Sequence, residues 1–333
     1  MQKIKSEDRR FMRRALELAR QGAGRVHPNP LVGAVLVKAG RVIGEGAHLK
    51  FGGPHAEVNA VRSAKSGASG ATLYVTLEPC AHTGKTPPCT KFLIKNRVAR
   101  VVAADKDPNP RVNGRGLAEL RRAGVCVHSG LLKREAAELN RDWAFWLRTG
   151  RPYVAAKIAQ SRDGFISGQR SRWITGPAAR RYGHRLRAAS DAVLVGVGTV
   201  LADDPMLTAR GVGAVRQPLR VVLDTKRRTP RGARLFSDRS PVLIAAGPNR
   251  KGRVDLKKLL IRLGRQGIVR VLVEGGAETW DEFYRQGLVN ECYRFVSPKK
   301  LGAGTRVPSA ARPRRVVERV RLGKDILFRE EVR

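Results

Sequence analysis

The sequence predicts an α/β protein built as two successive domains, each a sheet with helices packed against it. Three observations support this. The chain of 333 residues exceeds the size at which a single hydrophobic core stops growing. Apolar runs of strand length alternate with segments of helical period from one end to the other, the pattern of sheets covered by helices. A short polar break with Gly and Pro, Arg148-Thr-Gly-Arg-Pro152, interrupts the series near its middle.

In the first half, Phe11, Ala15, Leu18 and Ala19 fall at helical spacing within residues 7–20. Leu31–Val37 and Arg41–Ala47 then read as a hairpin turned at Lys38-Ala39-Gly40. Next come a helix over His55–Lys65, a strand over Thr72–Leu77, a short helix over Cys89–Lys95 and a strand over Val98–Ala104. A helix at Gly114–Ala123, a strand at Val125–Val127 and one helix over Lys133–Leu147 complete a sheet with helices on both faces. The domains are therefore expected at 1–147 and 153–333, joined by the linker 148–152. In the second, strands are expected at Tyr153–Ala159, Ala192–Val197, Leu219–Asp224, Val242–Ala246, Ile268–Val273 and Glu291–Val296, with helices near 177–189, 254–265 and 277–286. A final strand pair follows the loop around Arg312, Arg314 and Arg315.

Composition narrows the function classes. An apolar fraction of 42% with 35 Gly and 18 Pro is ordinary for a globular chain. There is no run of about eighteen apolar residues, and the charged opening MQKIKSEDRRFMRR lacks the apolar core of a signal peptide, so a soluble cytoplasmic protein without a membrane partner is expected. Four scattered cysteines are too few for a disulfide framework, and two lie close enough together to suggest a metal. The formal charge of +38 would attract polyanions. The arginines are nevertheless spread along the chain and aromatics are only 5%, which leaves few platforms for stacking bases, so a nucleic-acid partner is not favoured. Phosphorylated small substrates would profit from the same field.

The chemistry concentrates in His55-Ala-Glu57 at a helix start, Glu78-Pro79-Cys80 at a strand end and Pro87-Pro88-Cys89 before a helix. One imidazole and two thiolates leave a tetrahedral zinc ion a fourth position for water, the pattern of a catalytic and not a structural site. Zinc lowers the pKa of that water toward neutrality. Glu57 would take its proton and deliver it to a departing amine, as in zinc deaminases. Two other readings stay open here: a nucleic-acid base deaminase with a basic extension, and a polyanion-binding module with structural zinc.

The His-Ala-Glu and Pro-Cys elements resemble the cytidine-deaminase superfamily, with eight residues between Cys80 and Cys89 where most members have two. The segment Thr76–Cys89 resembles the insertion of the bifunctional riboflavin-biosynthesis deaminase/reductases, as do Asn29-Pro-x-Val-Gly33, Gly44-Glu-Gly-x-His48, Gly53-Pro-His-Ala-Glu57 and Asp107-Pro-Asn-Pro110. The resemblance implies a three-layer deaminase domain acting on a diaminopyrimidinone that carries a phosphoribosylamino group. Asn29 and His48 would face the pyrimidine and Lys85 its polar edge or phosphate, while His82 is unassigned.

The second half has no G-x-G-x-x-G after a strand, so an ordinary Rossmann cofactor site is not indicated. The resemblance continues through Lys157-x-Ala-x-Ser-x-Asp-Gly164, Ser171-x-Trp-Ile-Thr175, Thr199-Val-x-x-Asp-Asp-Pro205, Leu207-Thr-x-Arg210 and Val273-Glu-Gly-Gly-Ala277. It implies a dihydrofolate-reductase-like domain, a homo-oligomer, and NADPH beside Ala159, Trp173, Thr199, Asp203, Thr225 and the Gly275-Gly276-Ala277 turn. Ser171, Arg187, Leu207, Arg210 and Glu274 would contact substrate, with Arg187 and Arg210 gripping its phosphate. Asp203 either assists proton movement or holds the cofactor.

Overall fold

The computed structural model describes residues 4, 6–82, 87–110, 112–168, 173–247, 252–308 and 315–332. Its contacts divide into two units, Met1–Arg148 and Thr149–Arg333.

Unit one opens with α1 (Ser6–Ala19), whose buried Phe11, Met12, Ala15, Leu16 and Ala19 make one apolar stripe. The hairpin β1 (Gly33–Lys38) and β2 (Arg41–Ala47) follows, then α2 (Ala56–Ser63), β3 (Thr72–Val75), α3 (Cys89–Lys95), β4 (Arg100–Ala103), α4 (Arg115–Arg122), β5 (Cys126–Ser129), α5 (Lys133–Leu139) and α6 (Arg141–Thr149). The sheet order is β2-β1-β3-β4-β5, with β1 antiparallel to both neighbours and β3, β4 and β5 parallel. Alternate strand residues serve the two faces. Leu36, Leu73, Val75 and Val101 pack under α2, α3 and α4, and Val35, Val37, Tyr74 and Val102 pack under α1 and α5.

Two glycines allow close approaches that position the site. A Cβ at Gly46 would stand 2.3 Å from the Ala56 carbonyl oxygen and 2.3 Å from the Ala60 nitrogen, so only glycine lets β2 lie against α2. A Cβ at Gly116 would stand 1.9 Å from the Pro79 carbonyl, where α4 meets the loop bearing Cys80.

The single helix expected over Lys133–Leu147 is two, parted at Asn140. The Asn140 side chain leaves the helical path to bond the backbone of Leu31, accepting from its N–H at 2.8 Å and donating to its carbonyl at 2.9 Å. The second of these helices continues through Thr149, two residues into the expected linker, because Trp143 supplies a buried anchor to carry it.

Unit two runs β6 (Tyr153–Gln160), α7 (Pro177–Ala188), β7 (Ala192–Gly196), α8 (Val197–Asp203), β8 (Leu219–Leu223), β9 (Val242–Ala245), α9 (Leu256–Arg265), β10 (Arg270–Val273), α10 (Ala277–Arg285), β11 (Glu291–Val296), β12 (Arg315–Leu322) and β13 (Asp325–Glu331). The eight strands are ordered β12-β13-β11-β6-β10-β7-β8-β9. All are parallel from β11 to β9, and β13 is antiparallel to β11 and β12. Val154, Val271, Val273 and Phe283 belong to the core beneath α9 and α10, and Leu186, Val200, Leu272 and Phe295 to the core on the other face. Helix α8 was not expected, and Val197, read as the last residue of a strand, opens it. Val197 and Val200 are both buried by a turn of helix that begins where β7 ends.

A buried ion pair ties α1 to the sheet. Asp8, 2% exposed, accepts from both terminal nitrogens of Arg100 at 3.0 and 2.9 Å and from the Tyr74 hydroxyl. Asp8→Ala strands the Arg100 charge and should cost about 3–5 kcal/mol in urea unfolding, whereas replacing Asp8 and Arg100 together by apolar residues should recover most of it. A loss under about 1 kcal/mol in the single variant would show that the pair is solvated.

Candidate active site

In unit one the metal-type ligands converge although 34 residues separate the first from the last. His55 immediately precedes α2, Cys80 lies in the loop after β3 and Cys89 opens α3. The Nδ1 of His55 is 3.2 Å from the Cys89 sulfur and 3.6 Å from that of Cys80, and the three ligand atoms lie within 4.8 Å of one another. Zinc bond lengths of about 2.0–2.3 Å at tetrahedral angles require ligand separations of roughly 3.5–3.8 Å, so this donor set fits the ion. The Cys89 N–H also points at the Cys80 sulfur, at 3.4 Å. The hydrogen bond from the Cys89 thiol holds Cys80 well below the usual thiol range and pushes Cys89 itself up. A cation among these atoms replaces their shared proton.

Around them lies a cavity of about 400 Å³ bordered by Asn29, His48, Glu57, Asp107, Trp143 and Trp146 among others. Glu57, on the first turn of α2, is 3% exposed, and burial, with the neighbouring Cys80 charge, pushes its carboxyl up to about 7. His48 Nδ1 lies 3.0 Å from the Pro54 carbonyl and must carry the proton there, which leaves Nε2 to accept from the Asn29 amide at 3.0 Å. Burial lowers the His48 pKa, so the ring stays neutral. Neutral His48 thus turns the Asn29 amide and sets which of its ends meets a ligand.

Glu78 has no place among the expected site residues, yet its buried carboxylate accepts from the N–H groups of Asp107, Gly114, Gly116 and Leu117 at 2.8–3.3 Å. It fastens the start of α4 and the 107–114 loop beside Cys80. Asp107, raised to about 6 by burial, belongs to that loop and borders the cavity. The walls from Trp143 and Trp146 were not foreseen either, because nothing local marks tryptophans on a helix as site residues. Lys85 lies outside the described residues.

In unit two the expected positions gather at the carboxyl ends of the parallel strands, where ligands bind in open α/β sheets. Gly275 and Gly276 follow β10 and lead into α10, and the Gly276 N–H donates to Thr199 Oγ1 of α8 at 3.0 Å. Ala159 closes β6 and Thr225 follows β8. A Cβ at Gly275 would stand 2.7 Å from Thr279, so this turn keeps its backbone close to the helix only as glycine. Beyond the Gly276 N–H, the backbone N–H groups at the start of α10 are the kind of donors a dinucleotide phosphate requires. Trp173 is exposed under the Arg180 guanidinium, 4.8 Å from the ring centre.

Three expectations change in detail. Arg187 was expected to grip phosphate, but its fork is committed to Glu274 at 2.6 and 2.8 Å, and Nη1 donates to the Thr208 carbonyl. A buried carboxylate competes for the guanidinium at no cost in ordering. Leu207 is buried in the core with φ +55°, so its side chain is not offered to a ligand. Asp203 is exposed on the last turn of α8 and, among the described residues, belongs to no polar cluster. Arg210 is exposed, with Nη1 held by Thr208 Oγ1 at 3.0 Å. Ser171 lies outside the described residues. One further residue joins the cluster: Lys157 Nζ is 3.8 Å from Glu274, and burial lowers its pKa.

Residues 5–105 match the family described as the cytidine and deoxycytidylate deaminase zinc-binding region, and residues 152–328 match the RibD C-terminal domain. The riboflavin biosynthesis protein RibD of Bacillus amyloliquefaciens is 44% identical over 90% of this chain and 86% of its own, and that of Escherichia coli 43% over 90% of each. The Acinetobacter baumannii RibD structure superposes with a TM-score of 0.91 at 39% identity, over 98% of this chain and 99% of that one. The Thermotoga maritima diaminohydroxyphosphoribosylaminopyrimidine deaminase/5-amino-6-(5-phosphoribosylamino)uracil reductase gives 0.90 at 38%, with the same coverage. The chain therefore belongs to the RibD family of riboflavin biosynthesis and is a bifunctional enzyme, a zinc-binding deaminase followed by an NADPH-dependent reductase.

Proposed function

We propose that residues 1–147 deaminate 2,5-diamino-6-(5-phosphoribosylamino)pyrimidin-4(3H)-one and that residues 153–333 reduce the ribosyl group of the product to ribityl. The observation that carries the first half is the meeting of His55, Cys80 and Cys89 with a buried carboxyl, Glu57, in one cavity beside the Asn29–His48 pair. His55, Cys80 and Cys89 hold the zinc, which when bound supplies a water of lowered pKa. Glu57, poised near neutrality, moves a proton from that water to the leaving amine. Water enters, ammonia departs and a carbonyl remains. Asn29 and His48 orient the pyrimidine edge, and Lys85 meets its polar edge or phosphate.

In the second half NADPH supplies a hydride to the ribose carbon of the opened imine form, and the imine nitrogen gains a proton. Ala159, Trp173, Thr199, Asp203, Thr225 and the Gly275–Ala277 turn hold the cofactor. Glu274, fixed by Arg187 and Lys157, orients the sugar together with Ser171 and the Leu207 backbone, and Arg210 meets the phosphate. Lys157 holds a proton beside the reacting nitrogen.

The same reading makes the enzyme cytoplasmic and homo-oligomeric. No helix among the described residues is long and apolar enough to cross a membrane, and the four cysteines are free thiols. The edge strand β12 exposes Val316 at 51% and Val317 at 36%, a ready surface for a second copy.

Glu57→Gln should keep stoichiometric zinc and lose ammonia release by roughly 10²–10⁴-fold, with NADPH oxidation on pre-deaminated substrate intact. Equal loss of both half-reactions would contradict separate sites. Chelating the zinc should likewise stop ammonia release alone, and readmitting the ion should restore it; deamination by metal-free protein would remove zinc from the reaction.

The reductase cluster predicts an acid signature. Burial alone would raise the Glu274 pKa, but the Arg187 charge and hydrogen bonds, with Lys157, hold it at about 2. A carboxyl depressed in the folded state stabilises the fold above its ordinary value, and that contribution fades as pH falls from about 4.5 toward 2. Glu274→Gln should flatten the decline of unfolding free energy over this window, measured by urea titration at each pH. Parallel curves for the two proteins would mean that the carboxylate is not paired in solution.

A further inference from the structure

The loop after β8 reads Thr225-Lys-Arg-Arg-Thr-Pro-Arg231, with four cations and no acidic residue. Lys226, Arg227, Arg228 and Arg231 are all exposed. The other arginines of this unit commonly have carboxylate partners: Arg187 with Glu274, Arg220 with Asp238, Arg270 with Glu291 and Arg294 with Glu330. Among the described residues Lys226 and Arg227 make no ion pair.

The loop is a built turn. Asp224 at its base is fully buried, and one of its carboxylate oxygens accepts from both the N–H and the hydroxyl of Thr229 at 2.7 Å. The Arg227 N–H closes the turn on the Asp224 carbonyl at 3.2 Å, with Arg227 in the left-handed region at φ +53°. The single acid of this strand end therefore faces inward and is consumed by the turn, leaving a wholly cationic rim.

Its place in the sheet gives the rim a ligand. The Glu274–Arg187–Lys157 cluster stands where β10 ends beside β6, so the reactive ring of a dinucleotide belongs there. The glycine turn before α10 takes the pyrophosphate, and β8 lies two strands from β10, roughly 10 Å at ordinary strand spacing. A cofactor laid across the strand ends directs its adenosine half toward the β8 loop. A site built for NADH places an acid against the ribose 2′-hydroxyl, and one built for NADPH places cations there.

We propose that Lys226 and Arg227, with Arg228 beside them, bind the adenosine 2′-phosphate and set the preference for NADPH over NADH. This rests on the reductase assignment above. It makes the loop a specificity element remote from the hydride, so its effect falls on affinity and not on the chemical step.

The test is direct binding of NADPH, NADH and adenosine 2′,5′-bisphosphate to the full chain, followed by nucleotide fluorescence and by competition. Arg227→Gly removes the charge where glycine suits the backbone better than arginine, so the melting temperature should hold. Lys226→Ala is the companion. Each should weaken NADPH and the bisphosphate about tenfold or more and leave NADH within about twofold. Equal weakening of both dinucleotides, or unchanged NADPH affinity, would overturn the proposal. Unmodified protein that binds neither dinucleotide would instead defeat the reductase assignment, and this inference with it.

Discussion

Both candidate sites depend on one constraint of parallel sheets: where a strand ends and a helix begins, backbone N–H groups lack partners within the helix and must find them elsewhere. In unit one this demand is met by Glu78, whose carboxylate collects three amides at the start of α4 and that of Asp107, and by the Cys80 sulfur, which receives the amide of Cys89. In unit two Thr199 receives the amide of Gly276. Satisfying these donors pins the loops that carry the reacting groups, so the ligands of the metal and the turn for the cofactor are held before anything binds. Preorganisation of this kind is what lets a site stabilise developing charge without rearranging.

The metal centre was legible because its chemistry is written in short-range spacing. His55 and Glu57 share a helix start, and each cysteine follows a proline that ends one element or begins the next. The alternation of strand and helix was legible for the same reason, since period and turn residues are local. The split at Asn140 was not, because it depends on a backbone 109 residues away. Arg187 and Glu274 lie 87 residues apart, and a guanidinium that looked suited to phosphate proved to serve a carboxylate instead. Helix α8 was hidden at its start by Val197, which continued an apolar strand run, whereas tertiary burial of Val197 and Val200 on one helical turn outweighs that strand-like propensity.

The charge of +38 resolves into distinct populations. Some arginines are interior and structural, such as Arg100 under α1 and Arg220, fully buried and bonded to Asp238 and the Ser240 carbonyl. Their guanidiniums replace apolar core and need several acceptors each, supplied to Arg100 by Asp8 and to Arg220 by Asp238 and the loop carbonyls of Met206 and Ser240. Others lie on exposed faces, where a positive field favours any phosphorylated ligand over its dephosphorylated form. Composition alone could not separate these roles, since burial is decided by the fold.

Two buried glutamates show how the same side chain is given opposite tasks. Glu57 and Glu274 are both removed from solvent, and desolvation pushes each toward the neutral form. Glu57 is reached by a neighbouring sulfur anion, which adds to that push and leaves its carboxyl near 7, able to take and return a proton within one turnover. Glu274 is reached by a bidentate arginine and a lysine, which outweigh desolvation and fix it as a permanent anion near 2. A permanent anion cannot shuttle protons at neutral pH. What it does well is hold hydroxyl groups of a sugar in one orientation and keep a half-buried lysine charged beside it. The division between a proton carrier in one unit and a fixed charge in the other therefore follows from burial without an arginine partner in the first and burial against an arginine and a lysine in the second, and it matches a hydrolytic deamination in the first and a reduction, whose hydride comes from the cofactor, in the second.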